Sequence, residues 1–129
     1  MSLNKIFLIL LLISISALLI IPGFLRARSP SPCTQCPSNC KNIGIALKMY
    51  ADDNHGCYPD KLEQITPKYL RQIPTCASAG TSTVYISSYT KSANPDAYTF
   101  YCKGNNHEAI GVKPDNPMFT SREGLKIIR

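Results

Sequence analysis

The chain has 129 residues, with 14 Lys and Arg against 8 Asp and Glu, six cysteines, ten prolines, seven tyrosines and no tryptophan. That length allows one small core, and the Pro- and Tyr-rich composition favours short strands and turns over a helical bundle. Three of the basic residues (Lys5, Arg26, Arg28) lie in or beside an N-terminal apolar run, so the remainder carries only a mild positive balance; no strongly basic nucleic-acid surface is expected.

The apolar run is Ile6–Leu25. At about 1.5 Å per helical residue it would just span a hydrocarbon core of roughly 30 Å. No small-x-small cleavage site follows Ile21. Residues 1–25 are therefore expected to be a retained single-pass anchor in contact with membrane lipid, carried by Ile6, Leu10, Ile13, Leu18 and Ile21. The flanking charges nearly balance and set no orientation. An even number of cysteines in a short chain fits an oxidising compartment, which places the head in the periplasm or outside the cell.

Residues 26–35 contain Arg-Ala-Arg-Ser-Pro-Ser-Pro, an extended Pro/Ser linker. The head is then 36–129. Pro37 suits a first helical position with Cys36 as its N-cap. Cys36, Cys40, Ile43, Leu47 and Tyr50 follow at steps of four, three, four and three, the spacing of one buried helix face. Asn54 or Gly56 can end that helix in a left-handed C-cap. Pro59–Leu70 reads as a short helix or two turns. Thr83–Thr90 and Asp96–Lys103 are β-rich runs joined by Asn-Pro-Asp turn chemistry, which predicts an antiparallel hairpin. His107–Val112 offers a short third strand, and the tail from Asp115 reads as irregular. The expected class is α+β: an amphipathic spine helix on a small antiparallel sheet, stabilised by a disulfide.

The cysteines allow two chemistries. Cys76 precedes the hairpin and Cys102 ends its second strand, so a Cys76–Cys102 disulfide is predicted; closing a loop of about 25 residues, it would stabilise by roughly 3 kcal/mol. The pairing of Cys33, Cys36, Cys40 and Cys57 stays open. As an alternative, Cys33, Cys36 and Cys40 could do thiol or metal chemistry. The nearest further ligands along the chain, His55 and Cys57, lie beyond a helix about 20 Å long, which opposes a local four-ligand site. His55 and His107 read as surface or hydrogen-bonded histidines. Asp115 and Asn116 lack calcium-loop spacing. No Asp/His arrangement accompanies Ser87, Ser88, Thr99 or Ser121, and no Gly-rich phosphate loop is present, so no enzyme, catalytic residue or cofactor is expected.

Three stretches together resemble a family. Ile21-Pro22-x-Phe24 with Arg26-Ala27-Arg28 is similar to the membrane helix of type IV pilin-like proteins, including the pseudopilins of type II secretion. Cys36-x-x-Asn39-x-Lys41-x-Ile43-Gly44-x-Ala46-Leu47-x-Met49-Tyr50-Ala51-x-Asp53-x-x-Gly56-x-Tyr58-Pro59 resembles their spine helix and its exit turn. Leu62-x-x-Ile65-Thr66-Pro67-x-Tyr69-Leu70, Ile73-Pro74-x-Cys76 and Tyr101-Cys102-x-Gly104 with His107 resemble the globular head. The resemblance implies a structural subunit, a pseudopilin or minor pilin, whose partners are other pilin-like or secretion-machine subunits. A DNA-uptake pilin is a weaker form of the same expectation. The family's peptidase motif is not among these residues, Lys5 falls where the family carries an acid, and Pro30, Pro32 and Pro37 interrupt the spine. These departures leave filament assembly by the family's usual route an open question.

Overall fold

The structure is a computed structural model that describes residues 2–24, 32–93 and 96–129, with side chains for 2–16, 34–93 and 96–129. Helix α1 covers Leu3–Phe24 and α2 covers Pro32–Asp53. A 3-10 turn at Leu62–Ile65 and a single-turn helix α3, Thr83–Ile86, precede the sheet. Strands β1 (Thr90–Ala93), β2 (Asp96–Tyr101), β3 (Met118–Thr120) and β4 (Gly124–Lys126) follow, with a 3-10 turn at Glu108–Ile110 between β2 and β3.

Helix α2 is the organising element of the head. Cys36, Cys40, Ile43 and Leu47 are fully buried on one face, as the periodicity predicts. Tyr50, next on that stripe, is half-buried and meets the Tyr69 ring edge-on at 5.6 Å between centroids. The helix begins at Pro32 and runs through Pro37, earlier than the Cys36 N-cap expected. Pro37 lies in its second turn, close to the end where backbone N–H groups lack helical partners. After Asp53 the chain turns through two left-handed residues, His55 (φ 56°) and Gly56 (φ 85°), and the Gly56 N–H caps the Ala51 carbonyl at 2.8 Å.

The four strands form an antiparallel meander, ordered β1-β2-β3-β4. Alternate residues of β2 point inward: Tyr98 and Phe100 are buried, and Cys102, just past the strand, continues that face. Phe100 stands opposite Phe119, which stands opposite Leu125. The Phe100 and Phe119 rings stack at 5.7 Å. α2 lies against β3 and β4, and its approach is close at Gly44, where a Cβ would fall 2.5 Å from the Phe119 Cζ. Leu62 and Ile65 from the 3-10 turn and Tyr85 from α3 close the rest of the core.

Several expectations are corrected here. Thr83–Thr90 is not a strand: its first half is α3 and only Thr90 enters β1. The hairpin of β1 and β2 is present, in the register Thr90 to Thr99 through Ala93 to Asp96; its turn residues, 94 and 95, lie outside the described residues. The third strand predicted at His107–Val112 is a 3-10 turn, and the tail read as irregular supplies β3 and β4.

The single-pass anchor is overturned as well. Among the described residues no helix is long and apolar enough to cross a membrane. The side chains described on α1, Ile6, Leu10 and Ile13 among them, run as far as Ser16. The side chains of Leu18 and Ile21 lie outside the described residues, as does most of the Pro/Ser linker. The predicted location, a membrane-held head in the periplasm or outside the cell, loses its support with the anchor.

Candidate metal centre

Four soft or borderline ligands from three parts of the chain converge at one end of the core. The sulfurs of Cys36, Cys76 and Cys102 and a ring nitrogen of His107 all lie within 4.8 Å of one another, and all four residues are buried. The Cys76 and Cys102 sulfurs are 3.5 Å apart, and His107 Nε2 is 4.0 Å from the Cys76 sulfur. A tetrahedral zinc ion with Zn–S near 2.3 Å and Zn–N near 2.0–2.1 Å would separate its ligand atoms by about 3.5–3.8 Å. These two separations bracket that range.

Local backbone chemistry sets each ligand in place. Cys36 faces inward from α2, one turn ahead of Cys40. Cys76 sits in a tight turn in which the Gly80 N–H donates to the Cys76 carbonyl at 2.7 Å and Gly80 takes a left-handed φ of 68°. That turn aims the Ala79 and Ser78 N–H groups at the Cys76 sulfur. Cys102 follows β2, its N–H paired with the Pro117 carbonyl at 3.0 Å. The loop from Cys102 to His107 is held by Gly104 (φ 103°) and Asp115, which exchange two hydrogen bonds of 2.8 and 3.0 Å. His107 is 3% exposed and opens the 3-10 turn, its carbonyl accepting from the Ile110 and Val112 N–H groups.

Outer partners complete the arrangement. Tyr85 Oη is 2.9 Å from the Cys36 sulfur. Asn106 Nδ2 points at the Cys102 sulfur from 3.6 Å. Ser78 Oγ lies 3.5 Å from His107 Nδ1, leaving Nε2 turned to the sulfurs, the disposition of a ligating imidazole whose second nitrogen is oriented by an oxygen.

Burial and mutual contact set the acid–base character of the four groups. For Cys36, contact with Cys102 acts to lower the thiol pKa, but contact with the Cys40 thiol and burial outweigh it, and the balance is strongly upward. Contact with Cys36, then burial, pushes Cys102 up, and burial does the same for Cys76. Burial lowers His107, which favours the neutral imidazole that a metal needs. A divalent cation at the centre inverts this logic for the thiols, since a coordinated thiol is deprotonated outright.

The predicted disulfide is thereby corrected. Cys76 and Cys102 are both free, their sulfurs brought together but shared with Cys36 and His107. No disulfide occurs among the described residues. Of the alternative set Cys33, Cys36 and Cys40, Cys36 belongs to the cluster. Cys40 is buried beside it, and the Cys33 side chain lies outside the described residues. Cys57 and His55 are exposed and take no part. The distance argument was right about those two and blind to ligands arriving from the sheet. His107, read as a surface or hydrogen-bonded histidine, is instead buried in the cluster; its place five residues after Cys102 is the one local hint that the two share a loop.

Comparison with known proteins finds no family model, no curated protein and no solved structure that matches the chain.

Proposed function

We propose that the chain is a non-catalytic structural domain whose head is held together by a single zinc ion bound to Cys36, Cys76, Cys102 and His107. The observation that carries this reading is the convergence of those four ligand atoms within 4.8 Å in a buried position. Three thiolates and an imidazole suit zinc, and four protein ligands close a tetrahedral site, leaving no position for a reactive water. Such a site stabilises a fold instead of performing hydrolysis. It also answers a need, since a head of roughly 95 residues has a limited core and often requires a staple. The test is metal content. Protein purified reduced, then desalted, should retain one zinc per chain, and stripping it with a chelator should lower the unfolding temperature. A chain that retains no zinc and unfolds identically after chelator treatment overturns the reading.

A second reading is favoured by a separate observation, the seat of α2 on an antiparallel meander through Gly44 and Phe119. It is that the domain serves as a pilin-like or pseudopilin-like subunit among similar subunits. The outward face of α2, with Ile45 and Met49 exposed, is the surface such neighbours would meet. Photo-crosslinkers at positions 45 and 49 in cells should capture other pilin-like subunits. Crosslinks only to unrelated proteins would remove this reading and leave the zinc reading untouched.

A further inference from the structure

Helix α2 presents two fully buried cysteines, Cys36 and Cys40, one turn apart on the same face and in contact with each other. Only one can complete a four-ligand site with Cys76, Cys102 and His107. Building on the zinc reading, we infer that the buried Tyr85 and the partly buried Asn39 behind it make that choice, holding Cys36 as the ligand and leaving Cys40 as a spare thiol.

Proton direction along this pair is fixed by chemistry. A metal-bound thiolate carries no proton and can only accept. The Tyr85 hydroxyl, 2.9 Å from the Cys36 sulfur, must then donate to it. Having spent its one proton there, Tyr85 Oη accepts from Asn39 Nδ2, 3.4 Å away. Asn39 is oriented in turn, because the same Nδ2 donates to the Thr75 carbonyl at 2.9 Å. The carbonyl of Thr75 leads directly into Cys76, so the chain runs from one ligand's neighbour to another ligand's sulfur. Every donor in it is positioned before any ion arrives.

Tyr85 is itself held rigidly. It is fully buried, its ring meets Phe100 edge-on at 6.5 Å, and its helical turn is tied to the loop after Cys102 by the Lys103 N–H donating to the Val84 carbonyl at 3.3 Å. Among the described residues no such donor meets Cys40, whose sulfur lies against the Cys36 thiol. A hydrogen bond to an ionised sulfur is among the stronger ones a protein makes, so a thiolate at position 36 is favoured over one at position 40. With Tyr85 on Cys36, backbone N–H groups on Cys76 and Asn106 on Cys102, each of the three sulfurs has a donor. The single excess negative charge of three thiolates and one imidazole on a divalent ion is thus spread over fixed dipoles. Tyr85 and Asn39 are positioning residues: they act on the ion through Cys36.

The experiment uses the full chain loaded with zinc, or with cobalt(II) as a spectroscopic substitute. Cys40→Ser should keep one ion per chain with three thiolate ligands, whereas Cys36→Ser should lose it or bind far more weakly. Tyr85→Phe preserves the ring in the core and removes only the hydroxyl. It should still bind one ion, yield zinc to a competing chelator about 10-fold faster, and move the sulfur-to-cobalt charge-transfer band to lower energy, because the Cys36 sulfur electrons are no longer stabilised by the donor. Asn39→Ala, which leaves the core ring in place, should shift band and release rate in the same direction by less. The band position is a readout that loss of packing alone does not move. A Tyr85→Phe protein with wild-type band and wild-type release overturns the inference, as does metal retained by Cys36→Ser and lost by Cys40→Ser. Wild-type chain that binds neither zinc nor cobalt overturns the underlying zinc reading itself, a result distinguishable from either of those.

Discussion

The two ends of α2 are packed by different chemistry. Around its first two turns the neighbours are sulfur and imidazole: Cys76, Cys102 and His107, with Tyr85 contributing a hydroxyl. Around its last three turns they are rings and aliphatic chains, with Tyr50 on Tyr69, and Gly44 and Leu47 over the stack of Tyr98, Phe100 and Phe119. At the aromatic end a regular sheet supplies a continuous surface, so apolar burial is enough. The segments that meet the sulfur end, the Cys76 turn and the Cys102–His107 loop, are irregular and hold few large apolar side chains. A shared ion can fix such segments where close packing cannot. Stability at one end should therefore depend on metal and at the other on side-chain volume.

The strongest break of that contrast is Cys102→Ser. It removes one ligand from the centre of the cluster, and structural zinc contributes roughly 10 kcal/mol or more in small domains. The variant is expected to lose its zinc and its cooperative melting transition, followed by circular dichroism with equimolar zinc present. Next in size is Phe100→Ala at the aromatic end, which deletes a fully buried ring. A loss of about 3–5 kcal/mol is expected in denaturant titration, with zinc content unchanged. Gly44→Ala should cost about 1–3 kcal/mol, since the new methyl group forces the Phe119 ring or the helix to move; the same titration measures it. Cavity and overpacking variants that also stripped the zinc would show the two ends to be one cooperative unit.

The smallest effect lies outside both ends. The Lys68 ammonium, 2.8 Å from Asp53 and aided by the Tyr69 hydroxyl, holds the Asp53 carboxyl below its usual range. A carboxyl pKa lowered by folding contributes stability above its unfolded value, near pH 4, and loses that contribution as pH falls through the folded value. The pair is fully exposed and screened. Lys68→Met should return the Asp53 titration midpoint, read by NMR, toward the ordinary carboxylate value while the melting temperature at neutral pH barely moves.

How much of this was legible in the sequence varies along the chain. The stripe Cys36, Cys40, Ile43, Leu47 and Tyr50 predicted the buried face of α2 because helical spacing is a local property. The β1–β2 hairpin was legible from turn chemistry for the same reason. β3 and β4, three residues each, are too short for alternation to register, and they exist because β2 and α2 offer them a surface. Thr83–Ile86 looks β-prone residue by residue, yet burial of the Tyr85 ring with its hydroxyl at the Cys36 sulfur draws it into a helical turn; tertiary contact overrides propensity. The cysteines misled most. Counting them in a short chain behind an apolar run suggested oxidation, and Cys76 and Cys102 were indeed brought together, but as half of a four-ligand set. The other half comes from α2, far away along the chain, and from a histidine in the loop that follows Cys102.

The spread of those ligands has a consequence for how the protein is made. Cys36 lies near the start of the head and His107 well past its middle, with Cys76 and Cys102 between them. During synthesis the helix bearing Cys36 leaves the ribosome long before the imidazole that completes the set. A nascent head therefore passes through a stage in which it offers sulfur but no closed site. On the zinc reading, only after the Cys102–His107 loop has emerged can one ion draw the three segments together, so metal capture becomes possible late in synthesis, with β3 and β4 still to follow.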